Sequence, residues 1–317
     1  MGSKMSSKTF ALCSIMSLSA GMSIAEAPQV AVDIAPVHSL VARVMEGIGT
    51  PDLIIPAGAS PHEYNLRPSE AASLQNADVV FWVSASLTPW MKNAIETLAE
   101  DAVVTELFEV EGTLKLPFRQ GVLFEEHDDH EGHDDHEAHD DHEGHNHDGD
   151  DPHAWLSPDN AAVWLNAIAQ TLSKVDPDNA SQYYLNAAAG QKELRELSTK
   201  INGILAPFEG RNFIVFHDAY QYFEKAFDFY AAGAISLSDA RDPSPARIAK
   251  IQNRINEQNI SCILSEPQFN PNIVAAVASG SDVKMGILDP LGVGLELGET
   301  LYFQTLHNLA KALSDCL

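Results

Sequence analysis

The sequence predicts an α/β fold of two similar lobes, with mostly parallel sheets, joined by one long backbone helix. Three observations predict it. Short continuous apolar runs rich in Val, Ile and Phe alternate with helix-length patterns, as strands buried on both faces of a parallel sheet require. The alternation breaks once and then restarts, which marks two units. Between them, from Asp178 to about Leu205, runs one long helical pattern, on the order of 40 Å at 1.5 Å per residue. A chain of 317 residues with 45% hydrophobic content is long enough for one large or two modest cores.

The N-terminal lobe is expected over residues 26–177. Residues 30–34 read as a strand, followed by an amphipathic helix from Val37 to Gly47. Residues 52–58 are a second strand with its helix at 68–77, residues 78–84 a third with its helix at 88–100, and residues 102–107 a fourth. A long connection follows at 108–152, with a His- and Asp-rich loop at about 120–150. Ser157 or Asp159 caps a helix that runs to about Lys174. The linking helix takes residues 178–207 and ends at Pro207 and Gly210. The C-terminal lobe, residues 208–317, repeats the alternation. Its strands are expected at 212–216, 229–235, 260–266 and 283–288, and its last helix from about Glu299.

The formal net charge is −26, and residues 125–151 hold fourteen acidic residues and no Lys or Arg. Such a chain repels phosphate backbones, which argues against nucleic acid as a partner, and attracts cations. Residues 1–25 read as a signal peptide. Lys4 and Lys8 precede an apolar stretch too short to span a bilayer, and Ser23–Ala25 is a small-x-small cleavage site. Leu12 before Cys13 does not fit a lipid-attachment box, so a soluble protein exported to the periplasm is expected. After cleavage Cys262 and Cys316 remain. In an oxidising compartment two cysteines suggest one disulfide, about 4 kcal/mol in the chain-entropy model, the alternative being two buried thiols.

Ligands of open α/β sheets bind beyond the carboxyl ends of the strands. His62 lies in the loop after the second strand, His153 just before a capped helix, and His217 directly after the first strand of the second lobe. Asp289 follows the last strand. Three imidazoles and a carboxylate suit a tetrahedral site, and a histidine-rich set favours zinc over manganese. The loop histidines are a different matter. His127, His130, His133, His136, His139, His142, His145 and His147 fall in a hexad repeat with almost nothing apolar to bury. They are expected to gather divalent ions as an auxiliary store, with His153 belonging to the specific site. His38, His307 and Glu266 are read as structural.

The segments GASPHEYNLRPS, DPHAWLSP, FHDAYQYF, SEPQF and LDPLG occur in this order, with an acidic His-rich insertion before the second. On these motifs the mature chain resembles the metal-specific substrate-binding proteins of bacterial ABC importers, the long-backbone-helix cluster, and above all their zinc branch (ZnuA type). The resemblance implies that His62, His153 and His217 bind zinc (Zn2+), two from the N-lobe and one from the C-lobe. The manganese branch typically has Glu where this chain has His217. The fourth ligand is Asp289 in preference to water; Pro61 closes the option of a Glu just before the first histidine. The resemblance also implies a C-lobe disulfide between Cys262 and Cys316 and a membrane permease as partner. A periplasmic zinc chaperone is a further expected partner, and the protein is expected to act as a monomer without catalytic residues. The competing functions are a zinc-dependent hydrolase, against which no HExxH pattern is present, and a manganese or adhesin-type member of the same family.

Overall fold

The computed structural model describes residues 27–119, 124, 149–236 and 243–317. The expected signal peptide and the eight loop histidines lie outside the described residues. Strands β1 (Val30–Val32), β2 (Asp52–Leu53), β3 (Val79–Trp82) and β4 (Val103–Glu106) form a parallel sheet in the order β2-β1-β3-β4. Strands β5 (Phe213–His217), β6 (Ala234–Ser236), β7 (Cys262–Ser265) and β8 (Lys284–Ile287) form a second parallel sheet in the order β6-β5-β7-β8. The two orders are the same. Each reverses direction beside its first strand, at β1/β3 and β5/β7, which is where a doubly wound sheet opens a crevice.

Helices α1 (Ala35–Val44), α2 (Pro68–Gln75), α3 (Pro89–Leu98) and α4 (Pro158–Val175) belong to the first half. The linking helix α5 (Ala180–Leu205) has 26 residues. Helices α6 (Gln221–Phe227), α7 (Pro245–Glu257), α8 (Pro271–Ala278) and α9 (Leu301–Cys316) complete the second. Helices α2, α3, α4, α7 and α8 each open on a proline, whose fixed φ suits the first turn and whose missing N–H is not needed there. Of the two caps expected for α4, Ser157 is the one used: its Oγ accepts from the Asn160 N–H at 3.2 Å.

Most strands are shorter than the sequence predicts, and three show why. β1 stops at Val32 because Asp33 turns its carboxylate onto the backbone N–H groups of Ile34 and Val83. β2 stops at Leu53, and a turn closes from Ala59 N–H to the Pro56 carbonyl at 2.9 Å. β6 begins at Ala234 rather than at Phe229. Helix α1, amphipathic in pattern as expected, nevertheless has all ten of its residues buried. It lies under α4, α5 and α9, so its polar His38 is buried; Nε2 is 3.0 Å from the Pro51 carbonyl, and Nδ1 has no hydrogen-bond partner among the described residues.

One apolar cluster runs through both halves. It joins Leu40 of α1, Leu165 of α4, Leu194 and Ile201 of α5, Leu264 of β7 and Leu309 of α9. A smaller cluster, including Ile214, Ile251, Ile263 and Val277, fills the other face of the second sheet. Gly190 lets α4 and α5 approach closely: a Cβ there would sit 2.9 Å from Leu165 Cδ1. The C-terminal helix crosses back to the first half, where the Tyr302 hydroxyl donates to the Trp155 carbonyl at 2.6 Å and its N–H to Ser39 Oγ at 2.9 Å. Cys262 and Cys316 form a disulfide, with Cα atoms 5.7 Å apart, that ties β7 to the end of α9.

Candidate metal centre

Three elements deliver three imidazoles to one point. His62 sits in the loop between β2 and α2. The Trp90 indole N–H of α3 holds this loop by donating to the Pro61 carbonyl at 2.9 Å. Beyond His62, the Tyr64 hydroxyl donates to Glu70, whose other oxygen accepts from the Arg67 N–H at the start of α2. His153 precedes the short 3-10 turn Ala154–Leu156. His217 is the last residue of β5, at the crevice of the second sheet.

The ring nitrogens converge. His62 Nε2 lies 3.3 Å from His153 Nε2, and His217 Nε2 also lies 3.3 Å from His153 Nε2. All three ligand atoms lie within 4.8 Å of one another. Nitrogens about 2.05 Å from a zinc ion at tetrahedral angles are themselves about 3.3 Å apart, so this spacing fits the ion. His153 and His217 are 5% and 4% exposed, which leaves little water to compete.

The opposite nitrogens fix the tautomers. Nδ1 of His153 is 2.6 Å from Asp151 Oδ1, and Nδ1 of His217 is 2.6 Å from Glu266 Oε1. An ionised carboxylate only accepts, so each Nδ1 carries the proton and each Nε2 of a neutral ring presents its lone pair to the centre. Two such lone pairs facing each other at 3.3 Å call for a cation between them. Asp151 is held in turn, since its Oδ1 also accepts from the His153 N–H at 3.0 Å and its Oδ2 from the Gln221 amide at 3.2 Å.

Asp289 is not a member of the histidine cluster. Its Oδ1 accepts from the N–H groups of Leu291 and Gly292, each at 3.0 Å, in the loop after β8. Burial pushes its carboxyl upward, against these N–H groups, which favour the anion. The same loop reaches the centre through its next residues: Pro290 and Leu291 line the cavity, and the Pro290 carbonyl accepts from the Trp155 indole at 3.0 Å. The free volume between the lining groups is about 10 Å³, on the scale of one small ion or water.

A second polar cluster adjoins the first. Arg119, just before the His-rich segment, donates from Nε to Asp218 at 3.0 Å and from Nη1 to Glu224 at 2.6 Å. Burial pushes the Glu224 carboxyl up to about 7, with Arg119 opposing the shift. On the far side of the segment, the Tyr222 hydroxyl donates to the Asp151 carbonyl at 2.7 Å. Both ends of the His-rich segment are thereby pinned to α6 and the residues leading into it from His217. Sequence reasoning did not find Asp151 or Arg119 and read Glu266 as structural. The available signal was Asp151 two residues before His153.

The family profile described as "Zinc-uptake complex component A periplasmic" (ZnuA) matches residues 30–316. The chain belongs to the ZnuA family. It is 41% identical to the "High-affinity zinc uptake system protein ZnuA" of Brucella abortus over 314 residues, covering 94% of each chain. It is 42% identical to the protein of the same name from Paracoccus denitrificans over 306 residues, covering 92% of this chain and 93% of that one. The solved "periplasmic zinc binding protein TroA from Treponema pallidum" has the same fold, with a TM-score of 0.76 at 18% identity over 92% of this chain and 99% of that one. Among the described residues no helix is long and apolar enough to cross a membrane.

Proposed function

We propose that this chain is the zinc-capturing component of a bacterial ABC importer: it holds Zn2+ on His62, His153 and His217 and hands it to a membrane permease. Membership of the ZnuA family makes it part of an uptake system rather than an enzyme. The observation that carries the site assignment is the pair of 3.3 Å Nε2 contacts around His153, with the Nδ1 protons committed to Asp151 and Glu266. Asp289, favoured over solvent, supplies the fourth ligand after its carboxylate swings from the loop after β8. A carboxylate in that position closes the coordination shell, which suits capture rather than activation of water.

Zinc is bound as cargo, and the lobes around it are stiff. The main core runs continuously through both halves, so loading rearranges the His62 and Asp289 loops more than it hinges the lobes. Before capture, His127 to His147 collect zinc loosely. In this reading the signal peptide is removed near Ala25, the mature protein works in the periplasm as a monomer, and a zinc chaperone there is a further partner.

Competitive zinc titration tests the reading on three proteins: the mature chain, a variant lacking residues 127–147, and a His62→Ala/His217→Ala variant. The loop deletion is expected to keep one tight site and the double variant to lose it. If the tight site leaves with the loop instead, the assignment is wrong.

A further inference from the structure

Two residues beyond Glu266, the chain places an amide against the three histidines. Gln268 lines the same cavity as His62, His153 and His217. Its Nε2 and Oε1 are both buried, and neither makes a hydrogen bond among the described residues. A primary amide offers two donors and an acceptor, and burying all of them unpaired is unfavourable. The turn that carries it is fixed on both sides. Glu266 is bound to His217, the Phe269 N–H donates to the Glu266 carbonyl at 3.2 Å, and Phe269 stacks on Phe216 with ring centroids 4.4 Å apart. These contacts hold the backbone of Gln268 beside the cavity. Asp289 is close enough for the Gln268 amide to hold its carboxyl down, although the pair falls short of hydrogen-bond geometry.

Three imidazoles supply three corners of a tetrahedron, and the fourth falls to an oxygen. We propose that Gln268 is a positioning residue that hydrogen-bonds the oxygen ligand in the fourth position of the bound zinc. The proposal rests on the three histidines being the zinc ligands. The amide is unpartnered because its partner reaches its final place only with the metal. A carboxylate oxygen would accept from Nε2; a zinc-bound water would donate to Oε1.

Gln268→Met keeps the length of the side chain and removes both polar atoms. The mature variant without metal is expected to melt at or above the wild-type temperature, because an unpaired buried amide has been replaced by an apolar group of similar shape. Its zinc affinity is expected to fall about tenfold to a hundredfold, the usual effect of losing an outer-shell partner. Cobalt(II) serves as the spectroscopic probe, and its visible bands are expected to differ between wild type and variant. An unchanged zinc affinity or an unchanged cobalt spectrum overturns the proposal. Gln268→Leu repeats the measurement if the Met variant does not fold. In an Asp289→Ala background the Gln268→Met effect vanishes if the oxygen is the Asp289 carboxylate and persists if it is water; either result supports the positioning role. A His62→Ala/His217→Ala variant is titrated in parallel. Retention of its tight site overturns the histidine assignment itself, whereas its loss beside an unaffected Gln268→Met overturns only the role of Gln268.

Discussion

Glu266→Gln isolates the effect of the carboxylate behind His217. The pair is 2.6 Å apart, and Glu266 is only 3% exposed, so water cannot replace the lost partner. The substitution keeps the shape and removes the charge. If the new amide turns its NH2 group toward Nδ1, the imidazole proton moves to Nε2 and blocks the metal. If it turns its oxygen, the tautomer is kept but the charge assistance is lost. A hydrogen bond to a charged group is worth about 1.5–3 kcal/mol. That corresponds to a zinc Kd raised about tenfold to a hundredfold, as is usual for outer-shell partners. The assay is competition against a chelator of known affinity, with the thermal midpoint of the metal-free protein as a control for folding. A Kd equal to wild type would refute the tautomer argument, since it would mean His217 presents its lone pair without help.

Three further outcomes are expected. Asp151→Asn should weaken zinc binding at least as much as Glu266→Gln, because Asp151 holds both the ring and the backbone N–H of His153; equal affinity by the same titration would count against that role. Arg119→Ala strands two buried carboxylates, Asp218 and Glu224, at 6% and 1% side-chain exposure, and should cost about 3–5 kcal/mol of stability near neutral pH. The folded-state value of Glu224, about 7, lies above its ordinary 4.5, so its contribution to stability is present below 4.5 and is lost as the pH rises through 7. Removing Arg119 raises that value further, so urea melts should show a smaller loss at pH 5 than at pH 8; a loss independent of pH would refute the assignment. Cys316→Ser should lower stability by about 4 kcal/mol in the chain-entropy model for a separation of 54 residues, and the gap to wild type should close under reductant.

Much of the fold was legible because buried parallel strands and helix starts leave strong local signals. Val79–Trp82 is an unbroken apolar run, and it became a strand buried at every position. The helices expected at 68–77 and 88–100 formed as α2 and α3, and each opens on a proline, whose restraint on φ acts within one residue. The misreadings arose where distant contacts override local pattern. Helix α1 reads as one-sided, yet α9, more than 250 residues later, covers its remaining face. The strand expected from Phe229 begins only at Ala234, because Phe229 instead stacks on Phe213, with ring centroids 5.4 Å apart. Two cysteines alone left a disulfide or two buried thiols, the family resemblance implied the pair, and the disulfide between Cys262 and Cys316 is present.

By itself the sequence determined the two α/β units, the long helix between them and the residue types a divalent cation would seek. Those are consequences of local periodicity, composition and motif order. Only the tertiary structure decided which groups meet. It brought His62, His153 and His217 within coordinating distance, put Asp151 and Glu266 behind two of them, set Asp289 against its own loop and left the Gln268 amide lining the centre with no hydrogen bond of good geometry among the described residues. The physical reason is that orientation at a site depends on partners far apart in the chain. Residues 153 and 217 are neighbours because two sheets and a shared core place them so, and no local pattern encodes which nitrogen of a ring keeps its proton.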